Sequence, residues 1–203
     1  MPEVILIRHG EVEEQWKTIC YGAMDIPLSN KGQVESRQLA RQLATGQKPH
    51  AIFHSDLVRT RFLAEQLAQA WGSQLPLIAD ARLRERNYGQ WQGLTWDQAY
   101  ASDPEHFQDL IDRPDTYRPP DGETTSSMQQ RIVSWYRDTM ADRLLSADAR
   151  VIAVSHSGPI AALAGWHNQV PASQWSEFLL KPLESVSIDS AEQNSGSTQI
   201  QDE

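Results

Sequence analysis

Three short apolar runs, each leading into polar residues and a helical pattern, constrain the fold of this chain more than any other feature. The runs cover residues 4–7, 51–53 and 150–154. The first and the last are continuous, without alternation of apolar and polar residues, which is typical of strands buried on both faces of a parallel sheet. Helical spacing follows the runs at residues 32–45, 57–71 and 159–166. This order predicts strand–helix units.

The remaining patterns predict a three-layer α/β/α fold with a mostly parallel central sheet and one antiparallel edge strand. The further expected elements are a strand at 75–79, short helices from Thr95 or Asp97 and from Asp103, a long helix at 124–145, a short helix at 171–178 and the edge strand at 185–189. In the helix predicted over residues 32–45, Val34 is expected on the buried face. Residues 1–203 are interpreted as one domain, with a lid-like insertion at 84–123 and a polar tail at 190–203.

Composition limits the classes of function. The chain has 203 residues, of which 39% are hydrophobic, and its formal net charge is −9. Because nucleic-acid binding needs a basic surface, a nucleic-acid partner is not expected. No apolar stretch reaches the roughly 18 residues that a membrane span requires, and no secretory signal is visible, so no membrane partner is expected. The single cysteine, Cys20, fits a reducing compartment, and the predicted location is the cytoplasm.

Polar residues stand at the ends of the three apolar runs. They are Arg8, His9 and Gly10 after the first run, Ser55 with Arg59 after the second, and Ser155 with His156 after the third. Right-handed crossovers bring these ends to one edge of the sheet, so we expect two imidazoles and two guanidiniums in one pocket. Such a concentration of positive charge is costly unless an anion fills it, and arginine forks match phosphate oxygens. The backbone donors of a helix beginning at Ser157 would add to this site.

These residues belong to a longer series of motifs that resembles the histidine phosphatase superfamily, also called phosphoglycerate mutase-like, and its small bacterial-type phosphatases in particular. The matching motifs are Arg8-His9-Gly10-Glu11, Tyr21-Gly22, Asp25 through Leu28, Ser55-Asp56-Leu57 with Arg59, Leu83-Arg84-Glu85 with Gly89 and Gly93, Gly122-Glu123, and Val154-Ser155-His156-Ser157-Gly158. Their order and spacing agree with the family over the chain to about residue 190.

The resemblance implies a phosphatase that transfers the phosphoryl group of a small-molecule ester to His9. Arg8, Arg59 and His156 would bind the phosphoryl oxygens, and Glu85 would donate a proton to the leaving oxygen. Neither a metal nor another cofactor is expected, because the arginines neutralise the charge. Further substrate contacts are expected from a set of polar or loop residues: Gln15, Tyr21, Gly22 and Ser157. Gln15 stands where the family pattern has an asparagine.

Several alternatives stay open. Glu11 is a second carboxylate near His9, and Arg86 is either a substrate contact or a surface charge. The activity could be mutase-type phosphoryl transfer, with basic contacts from Arg113 and Arg118, although the short acidic loop favours a phosphatase. A phosphoprotein substrate is a further alternative, and so is a non-catalytic scaffold, although retention of His9 and Glu85 disfavours the latter. A homodimer is compatible with the sequence.

Overall fold

The computed structural model describes residues 2–72, 75–141, 146 and 148–189, and its centre is a five-stranded sheet in the order β3-β2-β4-β1-β5. The strands are β1 (Glu3–Arg8), β2 (Ala51–His54), β3 (Leu77–Ala79), β4 (Arg150–Ser155) and β5 (Ser185–Asp189). Strands β1 to β4 are parallel, and β5 runs antiparallel to β1 at the edge. The predicted mixed sheet with an antiparallel edge strand is confirmed.

Helices cover both faces of the sheet. They are α1 (Asn30–Leu43), α2 (Val58–Ala70), α3 (Trp96–Ser102), α4 (Asp109–Asp112), α5 (Thr125–Met140) and α6 (Ser157–His167), with a 3-10 helix at Ala172–Phe178. On one face, Leu63 and Leu67 of α2 pack against Ile52 and Ile152 of the sheet. The other face carries a separate core cluster that includes Trp135 of α5. The sheet therefore lies between two helical layers.

The α1 helix packs against the chain after β1 through Gly32 and Ser36. This packing shows that the predicted burial of Val34 is wrong. A Cβ atom on Gly32 would lie 2.2 Å from the main-chain oxygen of Glu11, so only glycine allows this approach. Ser29 caps the helix by accepting a hydrogen bond from the Gly32 amide. The face that carries Gly32 and Ser36 therefore turns inward, and Val34, predicted to be buried, is 50% exposed.

Other differences lie at the ends of elements. β3 begins at Leu77 rather than at residue 75. The helix expected from Asp103 begins only at Asp109, as the short helix α4, and hydrogen-bonded turns precede it. The element predicted at 171–178 is a 3-10 helix. The long helix α5 begins as predicted and ends at Met140, whereas residues 142–145 and the polar tail at 190–203 lie outside the described residues.

The segment from residue 84 to 123 forms a small aromatic core together with Cys20 of the loop after β1. Trp91 is buried and stacks on Phe107 at a centroid distance of 5.2 Å, and Tyr117 and Cys20 join the same cluster. This segment stands beside the carboxyl ends of the parallel strands, where Glu85 is held. No helix of the described residues is long and apolar enough to span a membrane.

Candidate active site

The carboxyl ends of β1 and β4 bring two imidazoles together. Because Arg8 of β1 pairs with Ser155 of β4, the next residues, His9 and His156, leave the sheet side by side. Their ring centroids are 5.0 Å apart, with an angle of 64° between the ring planes. Both side chains are buried. The neighbouring strands thus assemble the pair that the sequence pattern predicts at this edge.

The tautomer of His9 follows from one hydrogen bond. Its Nδ1 lies 2.7 Å from the main-chain oxygen of Gly10, which can only accept, so Nδ1 carries the proton. The lone pair of the neutral ring is then on Nε2. Burial is the main reason why the pKa of His9 lies well below its usual value, and the charges of Arg59 and Arg8 lower it further. His9 is therefore a neutral imidazole that carries its lone pair on Nε2.

His156 belongs to a buried hydrogen-bond network. Its Nδ1 accepts a hydrogen bond from Nε of Arg59 at 3.3 Å, and its Nε2 donates to the Ser55 hydroxyl at 2.9 Å. Ser55 in turn lies 2.7 Å from the hydroxyl of Thr60. Burial and the charge of Arg59 hold the pKa of His156 well below its usual value. Both ring nitrogens thus have protein partners, so a contact from His156 to a phosphoryl oxygen would require this network to rearrange.

The two arginines differ in their free donors. Arg59 is buried and donates to the main-chain oxygens of Met24 and Gly22, at 2.5 and 2.7 Å, besides His156. These bonds use three of its five N–H groups. Arg8 donates from Nη1 to the Leu180 oxygen at 2.5 Å, whereas its Nε is buried and has no hydrogen-bond partner among the described residues. This N–H is enclosed in the structure as it stands, so it would bind an anionic oxygen only after the Arg8 side chain moved.

A cavity of about 220 Å³ opens over His9. It is lined by residues of the strand end and of the loop that follows: Arg8, His9, Gly10, Glu11, Val12, Lys17, Tyr21 and Pro182. We name it the phosphate cavity, after the anion that the sequence pattern predicts at this edge of the sheet. Lys17 was not singled out from the sequence, where it is one of several charged residues in an irregular loop. In the described part of the chain, no three His, Cys, Asp or Glu side chains form a cluster that could hold a metal ion.

Glu11 borders the phosphate cavity in a charged state. Lys31 and Lys17 lie 3.4 and 3.7 Å from its Oε2. Burial acts to raise the pKa of Glu11, but the hydrogen bond from Lys31 and the charges of both lysines outweigh it and lower the pKa. A carboxylate held in its ionised form is a poor proton donor. This disfavours Glu11 as the acid.

The carboxylate of Glu85 lies at the first turn of α6. Its Oε1 accepts a hydrogen bond from the Arg86 amide at 2.9 Å, and its Oε2 is 3.4 Å from the amide nitrogen of Gly158. From the sequence, the first amides of α6 are expected to face a phosphate, whereas in the structure the amide of Gly158 is directed to Glu85. Ser157 donates its hydroxyl to the Leu180 oxygen at 3.2 Å.

Arg131 holds the segment that carries Glu85. Its guanidinium donates to the main-chain oxygens of Arg82 and Arg84, both at 2.7 Å, and of Glu85 at 3.1 Å. It also binds both carboxylate oxygens of Glu123, at 2.7 and 3.1 Å. Sequence reasoning missed Arg131, because a charge in the middle of a long helix resembles an ordinary surface residue.

The remaining predicted substrate contacts have different environments. Tyr21 lines the phosphate cavity, and the Arg59 guanidinium lies over its ring at 5.2 Å. Gly22 supplies the main-chain oxygen that Arg59 binds. The Gln15 side chain is exposed and donates to the Glu13 carboxylate at 3.0 Å, so it is not brought to the cavity in this structure. Arg86 is only 4% exposed, so it is not a surface charge.

Two solved structures resemble this chain closely in fold. A mycobacterial glucosyl-3-phosphoglycerate phosphatase has 28% sequence identity and a TM-score of 0.79, covering 91% of this chain and 88% of its own. YhfR of Bacillus stearothermophilus has 26% identity and a TM-score of 0.81, covering 93% of this chain and 91% of its own. The mycobacterial enzyme has also been solved with VO3 and with inorganic phosphate.

Sequence comparison gives the same relationship. The probable phosphoglycerate mutase GpmB of Escherichia coli is 33% identical over 184 residues, which are 89% of this chain and 80% of GpmB. Phosphoglycerate mutase-like protein 4 of Arabidopsis thaliana is 28% identical over 162 residues, which are 79% of this chain and 69% of that protein. Residues 4–202 match the histidine phosphatase superfamily, branch 1. The chain belongs to this superfamily.

Proposed function

We propose that this protein hydrolyses small phosphate monoesters through a phosphohistidine on His9, without a metal. One observation carries the proposal. His9 is a buried neutral imidazole whose Nδ1 proton is fixed by the Gly10 oxygen, and it lines the phosphate cavity together with the cationic side chain of Arg8. A nucleophile and a cation that can neutralise a phosphoryl group therefore border the same cavity.

In the first half of the reaction, the lone pair on Nε2 of His9 attacks phosphorus. The bond from phosphorus to the ester oxygen breaks as the bond from nitrogen to phosphorus forms. Arg8 and Arg59 stabilise the negative charge on the phosphoryl oxygens. Glu85, in its protonated form, gives its proton to the leaving alcohol oxygen, and general acid catalysis of this kind contributes roughly a hundred- to ten-thousand-fold.

In the second half, water takes the place of the alcohol. Glu85 is now a carboxylate and accepts a proton from the water as its oxygen attacks phosphorus. The bond from phosphorus to Nε2 breaks, inorganic phosphate leaves, and His9 regains its lone pair. Because the leaving alcohol and the attacking water occupy the same position, one carboxyl serves both steps. We assign this role to Glu85 rather than to Glu11, because Glu11 is paired with two lysines, whereas among the described residues the Glu85 carboxylate accepts hydrogen bonds from backbone amides and forms no ion pair.

A mutase needs a clamp for a second anionic group, and GpmB, a relative, is named as a probable mutase. Two of the cations that could form such a clamp are already paired. Lys17 at the phosphate cavity is bound to Glu11 and Glu14, and Arg113 is bound to Asp109. These pairs favour hydrolysis over transfer. A phosphoprotein substrate is disfavoured, because the segment 84–123, which carries Glu85, folds beside the site.

The test is phosphate release from p-nitrophenyl phosphate, phosphorylated metabolites and a phosphopeptide, each with excess EDTA. The mutase reaction is measured in parallel with 3-phosphoglycerate and its bisphosphate cofactor. We expect release of phosphate from small esters at an unchanged rate in EDTA, and loss of release in His9→Ala but not in His50→Ala, which alters an exposed histidine. Loss of activity on chelation would contradict the metal-free reaction, and faster transfer than release would make the protein a mutase.

A further inference from the structure

A second cavity, of about 260 Å³, lies between α4, α5, α6 and the 3-10 helix at Ala172–Phe178. We name it the lid pocket. Its wall is largely apolar and includes Phe107, Leu110, Ile111, Met128, Trp175 and Leu179. The reaction proposed above uses none of these side chains. An apolar cavity with a few polar groups at one end is the usual form of a small-molecule site.

The lid pocket begins where the proposed proton donor is held. Gly158, whose amide nitrogen lies 3.4 Å from the Glu85 carboxylate, lines the pocket, and so does Arg86, whose amide donates to the same carboxylate. The chain segment around Leu180 borders both cavities: Leu179 lines the lid pocket, and Pro182 lines the phosphate cavity. A leaving oxygen within reach of Glu85 would therefore have the lid pocket next to it.

The charges in the lid pocket suit an aromatic ring. Arg86 is buried there, and its guanidinium binds only neutral oxygens among the described residues, those of Thr125 and the main chain of Glu123. The Tyr88 ring lies 5.4 Å from this guanidinium. Because the face of an aromatic ring is negative, a second ring would complement the same cation and extend the aromatic wall. At about 30 Å³ for each water-sized unit, the pocket holds about nine non-hydrogen atoms, enough for a substituted benzene ring.

We propose that the lid pocket receives the leaving group of the substrate, and that this leaving group is an alcohol with an apolar aromatic ring. The phosphoryl group would be in the phosphate cavity, the ester oxygen beside Glu85, and the ring among the residues of the lid pocket. The inference rests on the proposed function and adds the class of substrate. Esters with a strongly hydrated leaving group, such as sugar phosphates, would leave the apolar wall in contact with polar atoms and react more slowly.

The first test compares two esters of primary alcohols, 2-phenylethyl phosphate and glycerol 3-phosphate, on the wild-type protein. Both have an alkyl oxygen as the leaving atom, so the main difference is the apolar ring. We expect kcat/KM to be at least about tenfold higher for the phenylethyl ester. Equal values, or a preference for the glycerol ester, would overturn the inference. If neither ester nor p-nitrophenyl phosphate releases phosphate, the proposed function itself fails, which is a different result.

The second test changes the rim of the lid pocket. Ile111→Asp and Leu179→Asp alter side chains that are 45% and 55% exposed, and Val34→Asp is the matched control, since Val34 is 50% exposed on α1. We expect each rim variant to lower kcat/KM for the phenylethyl ester by about tenfold more than it lowers kcat/KM for the glycerol ester. The control should change neither. An equal loss for both esters in folded rim variants would contradict the assignment, and the wild-type comparison decides the matter if a variant does not fold.

Discussion

The amide nitrogen of Gly158 lies 3.4 Å from the Oε2 atom of Glu85, and a Cβ atom on Gly158 would lie only 2.5 Å from Oε1. Gly158, at the start of α6, therefore helps to position the side chain of Glu85 in the neighbouring loop. It leaves room for the carboxyl group and offers it a hydrogen bond at the positive end of a helix. The position of the proposed proton donor thus depends on the absence of a side chain two residues after His156.

Gly158→Ala should displace the Glu85 carboxyl without harming the helix. Alanine is a better helix former than glycine, so the free energy of unfolding should not fall. Because misplacement of a catalytic group by about 1 Å can cost up to about a hundred-fold, we expect a marked loss of kcat for alkyl phosphates. Esters of acidic phenols need little proton donation and should lose much less. The measurement is kcat across a series of leaving groups.

The control is Gly46→Ala, just beyond α1. A Cβ atom there would lie 3.4 Å from the Leu43 oxygen, which is close to ordinary contact, and no reacting group is near it. It should leave the leaving-group dependence unchanged. An alkyl phosphate rate equal to that of the wild type in Gly158→Ala would show that the position of Glu85 does not govern the reaction.

The pH dependence of kcat/KM should reflect the neutral state of His9. Since burial, Arg59 and Arg8 lower the pKa of His9 well below 6.5, the imidazole stays nucleophilic in mild acid, and the acidic limb should lie well below pH 6.5. Arg59→Gln removes a positive neighbour, so the pKa of His9 should rise and the limb should move to higher pH. Arg59→Lys keeps the charge and should leave the limb in place. A limb at the same pH in both variants would contradict this role of the charge.

The two buried histidines should also make the fold sensitive to acid. His9 and His156 have pKa values well below 6.5 in the folded protein, so between those values and 6.5 the unfolded chain binds more protons than the folded one. The contribution of these two histidines to the free energy of unfolding is therefore complete above about pH 6.5. Below that pH it falls by about 1.4 kcal/mol per pH unit for each histidine. Urea denaturation between pH 7 and 5 measures the slope. His9→Gln should make it shallower, and an unchanged slope would argue against this cause.

The strand-end residues were predictable because a parallel sheet fixes where its strands end. Once residues 4–7 and 150–154 are interpreted as neighbouring strands, His9 and His156 must emerge at one edge, as they do. Val34 was placed wrongly, because its spacing fits a buried helical face, whereas the close approach of Gly32 to the chain after β1 decides the orientation of the helix. Local periodicity carries no information about such a long-range contact.

Side chains in the loops were harder to predict. Glu85 was found only through the family resemblance, since no periodic element fixes its position. Gln15 was expected at the phosphate, but its side chain donates a hydrogen bond to Glu13 in the irregular loop after β1. Arg86 and Arg131 are held by hydrogen bonds to main-chain oxygens, and such partners depend on the folded path of the chain rather than on residue type. The lid pocket, formed by four separate elements, left no local signal.

Arg131 should matter for stability and for the position of Glu85. Its ion pair with Glu123 has both side chains only 20% exposed, and it also binds three main-chain oxygens. Each hydrogen bond to a charged group contributes about 1.5–3 kcal/mol, and Arg131 makes five bonds, so Arg131→Gln should lower the free energy of unfolding by at least about that amount. The loosened segment should also slow alkyl phosphates more than aryl esters of acidic phenols.

The control for Arg131 is Arg61→Gln, which removes a half-exposed pair with Glu65 on α2. Surface pairs of this kind contribute at most about 1 kcal/mol. It should leave the leaving-group dependence intact. If the two variants show the same dependence of kcat on the leaving group, and only Arg131→Gln loses stability, Arg131 has a structural role alone.

The central claim is that Nε2 of His9 takes the phosphoryl group. The most direct measurement is rapid acid-free quenching of the wild-type protein with a radiolabelled phosphate ester, followed by identification of the labelled residue by mass spectrometry. We predict an acid-labile, base-stable phosphohistidine at His9, and no label in His9→Ala, with turnover reduced at least about a thousand-fold. Label at another residue, or turnover that persists in His9→Ala, would contradict the account.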